Sequence, residues 1–292
     1  VEPDDAEVPA TGPAQEREDP DMTDLSTPIE TTAPIETTAP IETTAPGTTP
    51  GAVGGMTITG LADRVPADVL RPVVVDLYRD IHKGIRSELF DTTLEAGRLD
   101  PADRAGRACL AARIRDVVSL LESHAHHEDG AIEPVLEVEL PTLAEAIAAD
   151  HAALDLRIRD VAEQASGTVE TPVGEQRFRI QALYLELADF TSAYLRHQDL
   201  EERVVMPALE AAIGPEQVLA INTAIVSNIP PEELGRSLAL MIPAMNVDDR
   251  AELLGGMRRS APPEAFAGVW SMVATMLEPV DHLQLARRLG LG

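Results

Sequence analysis

Two segments of this chain share a pattern of metal-ligand type. One reads His124-Ala-His-His-Glu128-Asp129 with proline at 134, and the other reads His197-Gln-Asp-Leu-Glu201-Glu202 with proline at 207. Each places glutamate four residues after histidine, an acidic residue at the fifth, and proline at the tenth. Four residues make slightly more than one α-helical turn, about 6 Å of rise, so each histidine and glutamate project from one face. Two such helices facing each other would bring two imidazoles and two carboxylates into a bundle interior. Carboxylates can bridge two metal ions there while imidazoles cap each one. Burying these groups with no cation would be heavily penalised. The proline at the tenth position is expected to kink or end its helix.

The elements that must position these residues follow from the apolar periodicity. Residues 66–214 read as four long helices, roughly Arg71 to Gly97, Asp100-Pro101 to Leu136, Thr142 to Gln164, and Gly174 to Ile213. Val74, Leu77, Tyr78, Ile81, Ile85 and Leu89 recur at three- and four-residue spacing in the first. Asp100 followed by Pro101 predicts an N-cap and first turn for the second. Phe178, Leu183, Leu187, Phe190 and Leu195 mark the apolar side of the fourth. No stretch alternates with period two, so the expected fold class is all-α, an up-down four-helix bundle. The first and third helices each add one histidine on an inward face, His82 and His151.

The order His82, His124-x-x-x-Glu128, His151, His197-x-x-x-Glu201 resembles the hemerythrin-like, or HHE cation-binding, domain over residues 66–214. The resemblance implies that His82, His124, Glu128, His151, His197 and Glu201 ligate two iron ions. His82 and His124 would hold one and His151 and His197 the other, with both glutamates bridging beside an oxo or hydroxo group. The sequence departs from the oxygen-carrying members, which have a second histidine four residues into the third helix where this chain has Asp155. The carriers also use an aspartate at plus five on the fourth helix, where Glu202 stands here. Asp155 and Tyr78, four residues before His82, are oxygen donors that could complete the site. His126 and His127 cannot both share His124's face and are expected in solvent or hydrogen-bonded beside the ligands, as are Asp129 and Glu202. Imidazole and carboxylate also suit zinc and manganese; the nitrogen-rich set favours iron by resemblance. The implied function is binding of iron and a small oxidant (dioxygen, nitric oxide or peroxide) for binding, sensing or buffering. The alternative is a catalase-like or other di-iron oxidoreductase.

Composition agrees with a helical protein and narrows the partners. Aromatic residues are only 3% of the 292, so the core must be aliphatic. A net charge of −27 argues against nucleic acid and anionic membranes. No apolar run nears the ~20 residues of a membrane span, and the acidic first residues are unlike a signal peptide. These features predict a cytoplasmic protein. The single cysteine, Cys109, excludes an intrachain disulfide and a cysteine-based metal cluster, and is expected to be a small buried residue. Residues 1–60 carry three tandem Pro-Ile-Glu-Thr-Thr-Ala repeats, starting at Pro28, Pro34 and Pro40, and read as a disordered acidic segment. Residues 215–292 read as shorter helices broken at Pro230-Pro231, Pro243, Pro262-Pro263 and Pro279, with Val269, Trp270, Met272 and Met276 as apolar anchors. No chemistry is legible there; a protein partner for these helices is one expectation.

Overall fold

The structure, a computed structural model, describes residues 71–291. The proline-rich repeats and the acidic segment lie outside the described residues. Every regular element among the described residues is helical.

Four long helices form the bundle: α1 (Arg79–Arg98), α2 (Arg104–Ala131), α4 (Pro141–Thr168) and α5 (Gln176–Leu200). A short helix, α3 (Glu133–Glu139), joins α2 to α4. Each long helix packs on its neighbour in sequence, and α5 closes the ring against α1. The up-down bundle is therefore as the periodicity predicts. Its aliphatic core runs through Ile85 and Leu89, Leu110, Ile114 and Val117, Ile158 and Val161, and Leu183, Leu187 and Phe190.

The boundaries differ from expectation in instructive ways. The first helix begins at Arg79 rather than Arg71. Asp76 Oδ1 accepts the backbone N–H groups of Tyr78 and Arg79, stopping the helix there. Residues 71–78 instead form an arm, held by Glu210 through the N–H groups of Val74 and Val75. Val74 is consequently exposed, as is Phe178, which the apolar series had placed inside. The second helix begins at Arg104, because Asp100 Oδ1 accepts from Ala102 N–H and closes a turn before the helix starts. Cys109 is exposed on the outer face of α2, against the expectation of burial. Its neighbour Leu110 takes the core position in that turn.

Both motif prolines interrupt their helices. Pro134 lies in the first turn of α3, directly after α2 ends at Ala131. Pro207 lies in the first turn of α6 (Met206–Ile213), and the turn joining it to α5, Glu201–Val205, is π-helical. Proline has no N–H to give the carbonyl four residues earlier, and its ring crowds that carbonyl. A widened turn relieves both problems, and such turns recur at functional sites.

Beyond the bundle come α7 (Pro215–Asn228), α8 (Pro231–Ala244), α9 (Val247–Ser260), α10 (Pro263–Met276) and α11 (Pro279–Leu289). Their N-caps are Gly214, Pro230, Asn246, Pro262 and Glu278, a strict 16-residue period not noticed in the sequence. Pro243 does not break α8: it lies near the helix end, where the Arg250 guanidinium donates to the Ile242 and Pro243 carbonyls. The core of α8–α11 is Ile242, Leu254, Phe266, Val273, Leu277 and Leu285, with the expected anchors Val269 and Trp270 only partly buried. Helix α8 docks along α1.

Candidate metal centre

The bundle interior is split. The main aliphatic cluster ends near Leu121, Leu154 and Tyr194, and a second cluster begins at Tyr78, Ile132, Ile147, Leu200 and Met206. Between them lies a layer of charged and polar side chains. His82, His124, Glu128, His197 and Glu201 are buried there, and His151 closes one edge with its side chain 11% exposed.

All six sequence-derived candidates come together. The Nε2 atoms of His82 and His124 are 3.2 Å apart, and those of His151 and His197 are 3.1 Å apart. Each glutamate faces both pairs. Glu128 Oε1 lies 3.0 Å from His124 Nε2 and its Oε2 3.4 Å from His151 Nε2. Glu201 Oε2 lies 3.4 Å from His82 Nε2 and its Oε1 3.2 Å from His197 Nε2. Two four-residue groups result, His82–His124–Glu128–Glu201 and Glu128–His151–His197–Glu201, each with its ligand atoms within 4.8 Å of one another.

This arrangement is unsatisfied as protein alone. Both oxygens of Glu128 and Oε2 of Glu201 are buried without a hydrogen-bond donor, despite the imidazole nitrogens beside them. Lone pairs converge there where donors would be needed, and an unpaired buried carboxylate is costly. A cation at each group satisfies all of them, and nitrogen and carboxylate donors suit iron, zinc and manganese. The residues therefore fit a metal centre.

The electrostatics carry the same signature. Burial, reinforced by Glu201, pushes the Glu128 carboxyl up to about 7. Burial also works to raise Glu201, but His197 and His151 outweigh it and hold that carboxyl well below the usual range. Burial, with His82 beside it, pushes the His124 imidazole down. For His151 and His197 burial acts downward too, yet the glutamates prevail and raise them to about 11 and about 9.

The acidic residues at plus five have a specific place. Asp129 Oδ1 lies 2.9 Å from His151 Nδ1, and Glu202 Oε1 lies 3.0 Å from His82 Nδ1. Each motif thus supplies a glutamate to the centre and a second carboxylate that holds the lone histidine of another helix. A carboxylate on Nδ1 fixes that proton and directs the Nε2 lone pair inward. Arg86 donates to the same Glu202 oxygen at 2.6 Å. Asp150 is more distant from His197 Nδ1, at 3.5 Å, and that nitrogen makes no hydrogen bond.

The remaining candidates divide. Tyr78 is buried with its ring 5.2 Å from that of His82. Asp155 turns outward to Arg159, at 3.3 Å, so the position of the missing third-helix histidine supplies nothing to the centre. His126 is exposed, and His127 faces Glu233 of α8 at 3.6 Å. Tyr194 was missed. Its ring meets His197 edge-on with 5.7 Å between centroids, and its spacing, three residues before His197, nearly repeats that of Tyr78 before His82. Beside His151 and Tyr194 lies a cavity of about 10 Å³, lined also by Leu121, Ala125, Leu154, Asp155, Ile158 and Phe190.

Residues 73–209 match the family model described as the hemerythrin HHE cation binding domain. That segment is similar to a hemerythrin HHE cation-binding domain. The match spans all four long helices and both motifs, so the buried histidine and glutamate layer lies within the matched region. No curated protein and no solved structure matches the chain. Among the described residues, no single helix of the matched region or its extension is long and apolar enough to cross a membrane.

Proposed function

We propose that the domain at residues 66–214 is a non-haem di-iron module that binds a small oxidant: dioxygen, nitric oxide or peroxide. The observation that carries this reading is the sharing of the glutamates. Glu128 and Glu201 each present one oxygen to each histidine pair, which is what two bridged metals require. His82 and His124 would hold the first iron and His151 and His197 the second. Such a pair, when bound, supplies reversible one-electron chemistry and an open position for an exogenous ligand.

The chain's own residues provide the setting. Glu202 and Asp129 keep protons on Nδ1 of His82 and His151, leaving Nε2 of each free for metal. Phe190, Leu121, Leu154 and Ile158 line a small cavity beside His151, to which Asp155 adds a carboxylate. The cavity there has room for about one water-sized molecule. A ligand of two or three atoms fits this reading.

One observation favours the enzymatic alternative. Asp155 points to Arg159 rather than inward, so the second position has two histidines and the shared carboxylates. A metal held there by His151, His197 and the shared glutamates would supply chemistry suited to turnover of hydrogen peroxide as well as binding. We place the protein in the cytoplasm, binding oxidant for sensing or buffering.

Metal analysis and absorption spectroscopy test the proposal. Iron-loaded protein is expected to hold two irons per chain, with near-ultraviolet absorption that changes on adding dioxygen or peroxide. A persistent change supports binding, and a decaying one with many equivalents consumed supports the enzyme. Protein that keeps only trace metal after loading refutes both.

A further inference from the structure

Helices α8–α11 supply no residue to the metal centre, yet their bonds to the bundle are concentrated at the ligands. Asp249, in the first turn of α9, pairs with Lys83, the residue after His82. It also lies 3.6 Å from Arg79, one turn earlier on α1. Arg79 pairs in addition with Glu252 at 3.2 Å. Glu233, in the first turn of α8, accepts from Ser123 Oγ and lies 3.6 Å from His127 Nε2. Those residues immediately precede His124 and Glu128. The seam is also close: a Cβ on Gly84 would sit 2.8 Å from Leu240 Cγ of α8.

The other half of the centre has no such link. Among the described residues, no ion pair or side-chain hydrogen bond joins α4 or α5, which carry His151 and His197, to α8–α11. The extension therefore grips only the helices bearing His82, His124 and Glu128.

We propose that Glu233 and Asp249 are positioning residues for the first metal position, so that the C-terminal helices set its affinity apart from that of the second. The inference rests on the six-residue assignment above. Asp249 is well fitted to the task. Asn246 caps α9 by accepting from the Asp248 and Asp249 N–H groups, and its Nδ2 donates to Asp249 Oδ2 at 2.6 Å. That carboxylate is fixed before it meets Lys83, so holding Lys83 also fixes the rotation of α1 at His82. Contacts that orient ligands typically change metal affinity by about 10–100-fold. One shell further out, and partly exposed at 30% for Lys83 and 12% for Asp249, an effect of about 3–10-fold is expected.

The alternative role, simple docking of the extension, would not distinguish the two positions. Full-length chains carrying Asp249→Asn or Glu233→Gln are combined with His197→Ala, which leaves the first group of ligands, or with His124→Ala, which leaves the second. Cobalt(II) affinity is then read by chelator competition. The expected result is about 3–10-fold weaker binding in the His197→Ala background and under about twofold change in the other. Equal effects in both backgrounds, or none in either, overturn the inference. Hydrogen exchange of the unmutated chain gives a second reading if a variant fails to fold. Cobalt loading should slow exchange in the first turns of α8 and α9, and unchanged exchange there overturns the inference. Failure of the wild-type chain to take up any cobalt would refute the six-residue assignment itself. Uptake of two ions without the selective effect would refute only the positioning role.

Discussion

Glu128→Gln should move the stability of the metal-free and metal-loaded proteins in opposite directions. In the metal-free fold the Glu128 carboxylate is buried, without a donor on either oxygen, beside a second buried carboxylate. Its pKa rises from 4.5 to about 7. The sign follows directly: an acid with a raised folded pKa weakens the fold as pH climbs from the unfolded value through the folded one. At pH 8 the whole cost is present, and a rise of this size corresponds to about 3 kcal/mol. Glutamine removes the charge but leaves an amide in the same layer, returning roughly 1–2 kcal/mol of that gain. Glu128 also helps hold the His151 proton, and losing that attraction offsets part of the relief, so the metal-free variant should be more stable by at most about 1 kcal/mol, roughly 2–4 °C in melting temperature for a unit of this size. With metal bound the substitution removes an oxygen shared by both groups. A loss of about 100-fold in affinity lowers the ligand-linked stabilisation by about 3 kcal/mol. Calorimetry at pH 8, on chelator-treated and iron-loaded samples of each protein, measures both terms. Equal destabilisation in the two states would mean that Glu128 serves the fold as a hydrogen-bonding residue, and the metal argument would fail.

Other outcomes follow from the same geometry. Gly84→Ala gains about 1 kcal/mol of helix propensity but forces a methyl against Leu240, which costs roughly 1–3 kcal/mol. Chemical denaturation should show a net loss of up to about 2 kcal/mol, whereas a net gain would show that the α1–α8 seam is loose. Metal-free protein should lose stability as pH rises from 6.5 toward 9, because His197 and His151 have folded pKa values raised to about 9 and about 11, so their stabilisation is complete below about 6.5 and is lost progressively as pH rises through the folded values. Metal-loaded protein should not follow that decline, since ligation needs the deprotonated forms; parallel curves in denaturant titrations would contradict the assignment. Pro207→Ala should allow the Glu201–Val205 turn to tighten toward α-helix and draw Glu202 from His82. Weaker metal uptake with unchanged or increased helicity is expected, and unaltered uptake would show that the π turn is not needed.

Much of this was legible in the chain because helical periodicity is a local property. The i, i+4 spacing of His124 and Glu128, and of His197 and Glu201, needs only one turn to act, so it survives any tertiary arrangement. What was illegible depended on partners distant in sequence. Asp129 and Glu202 could be placed near the centre but not paired, since their targets lie on other helices, 22 and 120 residues away. Tyr194 carries no ligand spacing that would set it apart from the apolar positions of α5. The start of α1 was misjudged because Asp76 offers its carboxylate to the backbone, a competition that apolar spacing does not register. Exposed Cys109 and Phe178 show the same limit from the other side: residue type alone does not say which turn of a helix faces out.

On the di-iron reading, the two halves of the centre are built for different tasks. The first pair is enclosed: His82 has no exposed surface, its Nδ1 is held by a carboxylate shared with Arg86, and its helix is clasped by α8 and α9. Little room exists there for a ligand to enter or for an imidazole to swing. The second pair stands at the edge, with His151 partly exposed, Asp129 open to solvent, and the small cavity alongside. On that reading an incoming ligand would approach the second position, while His82, His124 and the residues that hold them would keep the first in place. A symmetric pair would offer two routes for oxidant and two places for the ligand set to give way. Confining access to one position lets the fold spend its rigidity on the other, and the C-terminal helices stand where that rigidity is needed.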